Sequence, residues 1–182
     1  AFKSPQYEEN CVWVYTNDGV LEFNSENPTG FIGVERDISL DGPPRNTLKV
    51  LGYMKTDMYM APWRKEQWCN DVKTVIIGEN ISEIGANAFY EMKGLEKVLI
   101  KSKEISIGAD AFAGCSSLKD VVFCKTKTKD LQSCVFKNCV SLEKIEIPEG
   151  CSSLIKIFDG CSNLKEIRLP KSIKGIWLGE AS

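Results

Sequence analysis

The chain of 182 residues contains no histidine. That removes the residue most often used as a general base near neutral pH, and it excludes a mixed Cys/His zinc site. Eight cysteines are present without a single C-x-x-C pair; the nearest two, Cys134 and Cys139, have four residues between them. An all-cysteine zinc site would therefore lack its paired knuckles. No metal and no cofactor is expected. No apolar run approaches the roughly 18 residues that a membrane-spanning helix needs. Neither sign of charge dominates. Lysine and arginine number 23 against 25 aspartates and glutamates, a net charge of −2, which argues weakly against nucleic acid or an anionic membrane as partner. The motifs G-x-S-x-G, P-loop and G-x-G-x-x-G are absent, so no residue is expected to be catalytic. No leader is recognisable; AFKSPQYEEN at residues 1–10 reads as a mature or truncated start.

What the chain does contain is periodicity. Phe89, Phe112, Phe136 and Phe158 stand 23, 24 and 22 residues apart. Six residues after each comes a leucine: Leu95, Leu118, Leu142, Leu164. Three further on comes Val98, Val121, Ile145 or Ile167, and two beyond that Ile100, Phe123, Ile147 or Leu169. Three residues before each leucine stand Met92, Cys115, Cys139 and Cys161. The same register run backwards gives Cys69, Val72, Val75 and Ile77, a further copy without its Phe. Repeats of about 20–50 residues mark solenoids.

The spacing dictates the local structure. V-x-I is a two-residue alternation, hence a short strand with one face inward. So few residues cannot bury a core alone, but stacked copies pair edge to edge and share one. Val75, Val98, Val121, Ile145 and Ile167 should form an inward column on parallel strands. The phenylalanines should stack on the opposite wall, with the Cys/Met positions as a soft ladder between them. Cys69, Cys115, Cys139 and Cys161 are then buried small residues, and no disulfide framework is needed.

The pattern IG-x-x-AF-x-x-C-x-x-L-x-x-V-x-I resembles the BspA-like leucine-rich repeats of bacterial surface proteins. The residues that carry the resemblance are Ile84-Gly85 with Ala88-Phe89, Ile107-Gly108 with Ala111-Phe112, Gly114–Leu118 and Asp159–Leu164, with Pro148 and Pro170 closing strands. The copy at Leu131–Phe136 lacks the IG and AF pairs, and Ile155–Phe158 is one residue short. The resemblance implies a right-handed leucine-rich-repeat superhelix with a parallel strand ribbon, an α/β-type solenoid dominated by β. It also implies a secreted or cell-surface location, often with an adhesive role.

Taken in order, residues 1–60 read as an N-terminal β cap and residues 61–182 as a solenoid of about five coils. Residues 11–23 form a hairpin, with Asp18-Gly19 as its turn. Residues 24–46 are loop with a short strand at Phe31–Val34, and Thr47–Tyr53 is another strand. Ala61-Pro62-Trp63 matches the step that often precedes the first repeat in the family it resembles. Pro62 opens a short helix, and Trp63 and Trp68 pack onto the first coil in place of its missing Phe. The returning segment of each coil has its own apolar spacing: Ile77, Ile81, Ile84, then Ile147, Cys151, Leu154, then Leu169, Ile173, Ile176. Lys125–Asp130, KTKTKD, carries the extra residue of its copy and should bulge into solvent as a loop. No C-terminal cap motif is visible; Trp177 and Leu178 serve as a makeshift one, or the end pairs with another copy.

Function should then lie on the strands' outward faces. The central column is Ile76, Leu99, Val122, Glu146 and Arg168. Beside it run Thr74, Lys97, Asp120, Lys144 and Glu166, and on the other side Gly78, Lys101, Cys124, Pro148 and Pro170. Three aliphatics in a row on an outward face can mark a contact site. The candidate binding residues are Ile76, Leu99, Val122, Glu146 and Arg168, with Lys97, Asp120, Lys144 and Glu166 flanking them; the expected partner is a protein. Two rivals remain. One is a structural spacer that self-associates through its C-terminal end. The other is a carbohydrate module stacking sugars on Trp13, Trp63 or Trp68. Cys124 alone among the cysteines is expected on an exposed strand face, near Lys101 and Lys125, but with no base to activate it.

Overall fold

The computed structural model describes residues 2–3, 12–24, 30–32 and 67–177. Fourteen strands account for nearly all regular structure there; one 3₁₀ helix, Gln67–Asp71, precedes the first full coil. Each coil contributes a strand to a first wall, a strand to a second wall, and a turn segment bearing the Phe.

The V-x-I steps form the first wall: β5 (Thr74–Ile77), β7 (Lys97–Ile100), β9 (Asp120–Phe123), β11 (Lys144–Glu146) and β13 (Glu166–Arg168). Pairing is parallel and in register, Val75 beside Val98 beside Val121, and Ile145 beside Ile167. The inward column is buried through Ile145, but Ile167 on the last rung is 37% exposed. Ahead of β5 stands the hairpin of β2 (Val12–Tyr15) and β3 (Val20–Asn24), with β1 (Phe2–Lys3) on its outer edge. The first wall reads β1-β2-β3-β5-β7-β9, with β3 parallel to β5. The hairpin turn is closed by the Gly19 N–H donating to the Thr16 carbonyl at 3.0 Å; Gly19 has φ +83°, the left-handed geometry expected at that position.

The returning segments are strands as well: β6 (Ile81–Ile84), β8 (Glu104–Ile107), β10 (Lys127–Leu131), β12 (Ser153–Ile155) and β14 (Gly175–Trp177). With β4 (Gly30–Ile32) they build a second wall of order β10-β8-β6-β4, followed by the pair β12-β14. This corrects the reading of KTKTKD as a solvent loop. Thr126 and Thr128 turn inward and are buried, while the lysines between them face water, so the stretch alternates as a strand does. The extra residue is absorbed as a one-residue bulge: Thr128 pairs with Ile105 but Asp130 with Ser106, leaving Lys129 over. Lys129 then reaches Glu104 at 3.2 Å.

The phenylalanines stack as expected. Ring centroids are 5.0 Å apart from Phe89 to Phe112, 5.7 Å to Phe136 and 6.1 Å to Phe158, with planes within 13°. The place ahead of Phe89 is taken by Phe23 of β3, edge-on at 5.5 Å. Trp68 stacks instead on Tyr15 at 4.3 Å, so the tryptophan does not substitute for the missing Phe. The ladder position of the cysteines is also occupied as the spacing requires, with Cys69, Cys115 and Cys139 buried and Cys161 partly so. A Cβ on Gly108 would collide with the backbone nitrogen of Ala86, which is why the repeat carries glycine after its isoleucine. The expected strand at Thr47–Tyr53, the A-P-W step and the helix at Pro62 lie outside the described residues.

Candidate functional site

Strand alternation leaves the first wall with an outward face free of core duties. Glu22, Ile76, Leu99 and Val122 are register partners across β3, β5, β7 and β9. Glu146 and Arg168 are partners across β11 and β13. The flank runs Thr74, Lys97, Asp120, then Lys144 beside Glu166. All nine candidate residues therefore fall on one face, in the two columns the spacing requires. Ile76 and Leu99 are half-buried by their neighbours, and Val122 is 41% exposed. The face changes character between β9 and β11, from aliphatic to charged.

In the charged half, Arg168 Nε donates to Glu166 Oε1 at 2.8 Å, and Arg168 Nη1 lies 3.9 Å from Glu146 Oε2. The hydrogen bond to Glu166, helped by both carboxylates, pushes the guanidinium pKa up. These groups are solvent-exposed, so the pairs add little stability and remain available to a partner. Similar ion pairs join successive coils elsewhere: Glu96 lies 3.7 Å from Lys73 and 3.5 Å from Lys119, and Lys165 lies 3.1 Å from Glu143.

The change of character coincides with a change of construction. Gly78, Lys101 and Cys124 each donate their backbone N–H to the preceding coil at the end of a strand, to Phe23, Ile77 and Ile100. The next residue in that series is Pro148, which has no N–H. No ladder joins β9 to β11. A cleft of about 790 Å³ opens there, bordered by β9, β11, β13 and the segment Lys125–Lys127. Sequence reading did not anticipate this cleft, since it placed Lys125 and Lys127 in a solvent loop.

The tryptophan platform loses one member. Trp68 is only 8% exposed and one ring face is covered by Tyr15. The side chains of Trp13 and Trp63 lie outside the described residues. Cys124 is exposed, as the alternation requires, and the described cysteines are free thiols. Among the described residues no helix is long and apolar enough to cross a membrane, and no group of three His, Cys, Asp or Glu side chains converges as metal ligands would.

Comparison with solved structures places this architecture among bacterial proteins. A leucine-rich repeat protein from Eubacterium ventriosum superposes with a TM-score of 0.65 at 23% identity, covering 93% of this chain and 38% of the other. A leucine rich cell surface protein from Faecalibacterium prausnitzii gives 0.53 at 23% identity, over 97% of this chain and 45% of the other. A leucine-rich repeat protein from Bacteroides ovatus gives 0.51 at 30% identity, over 60% of this chain and 28% of the other. The chain thus spans less than half the length of each of these relatives. None of the curated proteins compared matches it. The family described as BspA type leucine rich repeat region matches residues 67–156 and 130–178, in six copies. With most of its length accounted for by that repeat, the chain belongs to the BspA type leucine-rich repeat family.

Proposed function

We propose that the chain is a non-catalytic recognition module of a secreted or surface-displayed bacterial protein, and that it binds a protein partner through the outward face of its first strand wall. Residues 1–60 act as a β cap and residues 61–182 as the solenoid; the pairing of β3 with β5 supports the covering role. The observation that carries the reading is the column Ile76–Leu99–Val122, aliphatic, outward and in register, running into Glu146 and Arg168. A solenoid's core does not need those side chains, so they can vary with the ligand. The test is a binding screen of the purified chain on immobilised extracellular-matrix proteins, with glycans and the chain itself alongside. Leu99→Glu and Arg168→Glu should each leave the melting transition in place and weaken a true hit at least tenfold. Binding indifferent to both would exclude this face.

A second reading has its own observation. The last coil exposes Leu169 at 45%, Ile176 at 44% and Trp177 at 67%. A structural module that joins like units end to end would use these residues. Concentration-dependent sedimentation abolished by Trp177→Ala would favour it.

A further inference from the structure

The aliphatic part of the first wall's outward face offers a partner side chains and no free backbone. β5 lies hydrogen-bonded between β3 and β7, and β7 between β5 and β9. An extended chain laid on that face would bury N–H and C=O groups that nothing there can pair. A helix satisfies its backbone internally and covers a face with side chains alone. Spacing separates the two in the same direction. Ile76, Leu99 and Val122 are register partners on adjacent parallel strands, so successive residues of the row stand about 4.8 Å apart. Apolar residues at alternating intervals of three and four along a helix advance about 5.3 Å per step. Alternate residues of an extended chain advance about 6.7 Å. From Ile76 to Val122 the helix drifts out of step by about 1 Å, and the extended chain by about 4 Å.

The two ends of the aliphatic row carry the same sign. Glu22 precedes Ile76 in the ladder, and Glu146 follows Val122 on β11. Glu22 has no ion pair among the described residues and accepts from Asn24 Nδ2 at 3.0 Å. The Glu146 side chain is 75% exposed, and Arg168 stands off it at 3.9 Å. Lys97, Asp120 and Lys144 run along one side of the row with alternating sign, so that side favours neither sign in an occupant. The two glutamates favour one, since each lies directly beyond the aliphatic triplet and presents a carboxylate to whatever covers it.

We propose that the partner presents an amphipathic helix laid across the strands. Three of its apolar residues, at intervals of three and four, rest on Ile76, Leu99 and Val122; a lysine or arginine one step beyond at each end meets Glu22 and Glu146. The proposal rests on the reading of this face as the contact surface and adds what covers it. Because both ends of the row are acidic, the charge pattern suits the helix in either direction.

The test uses fluorescence anisotropy on the whole chain, with a labelled peptide of about 18 residues held helical by a hydrocarbon staple on its far face. The peptide carries leucine at three successive positions of the seam and lysine one step beyond at each end. One comparison peptide is unstapled and has the same composition with its leucines at alternate positions; another is stapled with glutamate for the two lysines. The first peptide should bind saturably and both comparison peptides at least tenfold more weakly. Leu99→Glu should weaken binding of the first at least tenfold. Glu22→Lys combined with Glu146→Lys should invert the order of the lysine and glutamate peptides, a swap that misfolding would not produce. Lys93→Glu, exposed on the turn wall, should change nothing, and thermal melts establish that each variant is folded. No saturable binding of the first peptide, or equal binding of the alternating one, would overturn the helix. So would a peptide order that the double substitution leaves untouched. If Leu99→Glu abolishes capture of a protein partner while the helical peptide does not bind, the face remains the contact surface and the helix falls. If the peptide binds Leu99→Glu as well as the unaltered chain, both readings fall.

Discussion

Phe112 has a ring on either side of it, Phe89 at 5.0 Å and Phe136 at 5.7 Å, and no solvent contact. Removing its ring would leave a cavity between two coils that are held apart by their own backbone bonds, so little collapse can fill it. Phe112→Ala should destabilise by about 3–5 kcal/mol, read from urea unfolding. A loss below about 1 kcal/mol would show that the stack is not what ties the coils together. The cysteines beside the rings have a role that composition does not reveal. The thiols of Cys115, Cys139 and Cys161 donate to the carbonyls of Phe89, Phe112 and Phe136 at 3.1, 3.3 and 3.0 Å. Each thus joins its coil to the one before. Burial pushes the Cys139 thiol well up, with its cysteine neighbours adding to the effect, and raises Cys161 to about 11. In the unfolded chain these thiols ionise near the ordinary value of 9.0. A raised folded pKa means that the stability is fully present below pH 9 and is lost as pH climbs towards 11. Melting temperature should therefore fall between pH 8 and pH 10.5. The fall should be smaller in Cys139→Ala combined with Cys161→Ala, each protein being measured against its own value at pH 8.

At the scale of the element, every coil turns its Phe corner with two residues in the left-handed region. Asn87, Asp110, Cys134 and Lys156 lie two before the Phe, with φ of 56°, 56°, 61° and 52°. Glu91, Gly114, Asn138 and Gly160 lie two after it, with φ of 54°, 76°, 58° and 73°. Asparagine, aspartate and glycine adopt this geometry readily; lysine does so at a cost. Lys156→Asn keeps the backbone and removes the misfit, and should stabilise by about 0.5–1 kcal/mol in thermal or urea unfolding. No gain would mean that the corner is held by something other than its own preference. These corners explain why the first wall was legible and the second less so. The first wall repeats a β-branched residue followed two places on by another apolar one in every coil, and the step from each Phe to the next strand is always eight residues, as from Phe89 to Lys97 and Phe158 to Glu166. The second wall buries Ile81 and Ile84 in one coil, Ile105 and Ile107 in the next, then Thr126, Thr128 and Leu131. Only the middle set shows plain apolar alternation. Threonine among lysines reads as loop unless one knows that the hydroxyl finds a carbonyl, as Thr126 Oγ1 does by donating to Ile100 at 3.0 Å. The outward columns were legible because alternation alone places them. The cleft was not, because it depends on bonds missing between two coils rather than on residues within one.

For the whole molecule, coil length decides how continuous the stack can be. From strand start to Phe the coils run 15 residues (Thr74 to Phe89), 15 (Lys97 to Phe112), 16 (Asp120 to Phe136) and 14 (Lys144 to Phe158). Consecutive coils three and four therefore differ by two residues over the part that builds the second wall; across the step the turn wall stays paired, while the second wall keeps the bond from the Thr128 N–H to the Glu149 carbonyl at 2.8 Å but no ladder. A solenoid's stability is roughly a sum of coil terms and nearest-neighbour interfaces, so one weak interface divides it into two cooperative blocks. The block from β2 to β10 has continuous ladders on both walls and buried rings throughout. The block from β11 to β14 has two-stranded ladders, and its inward Ile167 is 37% exposed. Native-state hydrogen exchange should resolve the two. Amides of β11–β14 that take part in ladder bonds should open together at a lower free energy than those of β5, β7 and β8, and should do so without carrying the first block with them. A single opening energy for both sets would mean that the stacked rings and the thiol bond from Cys161 to Phe136 couple the coils as strongly as a strand ladder does. In that event the third-to-fourth step is no weak point.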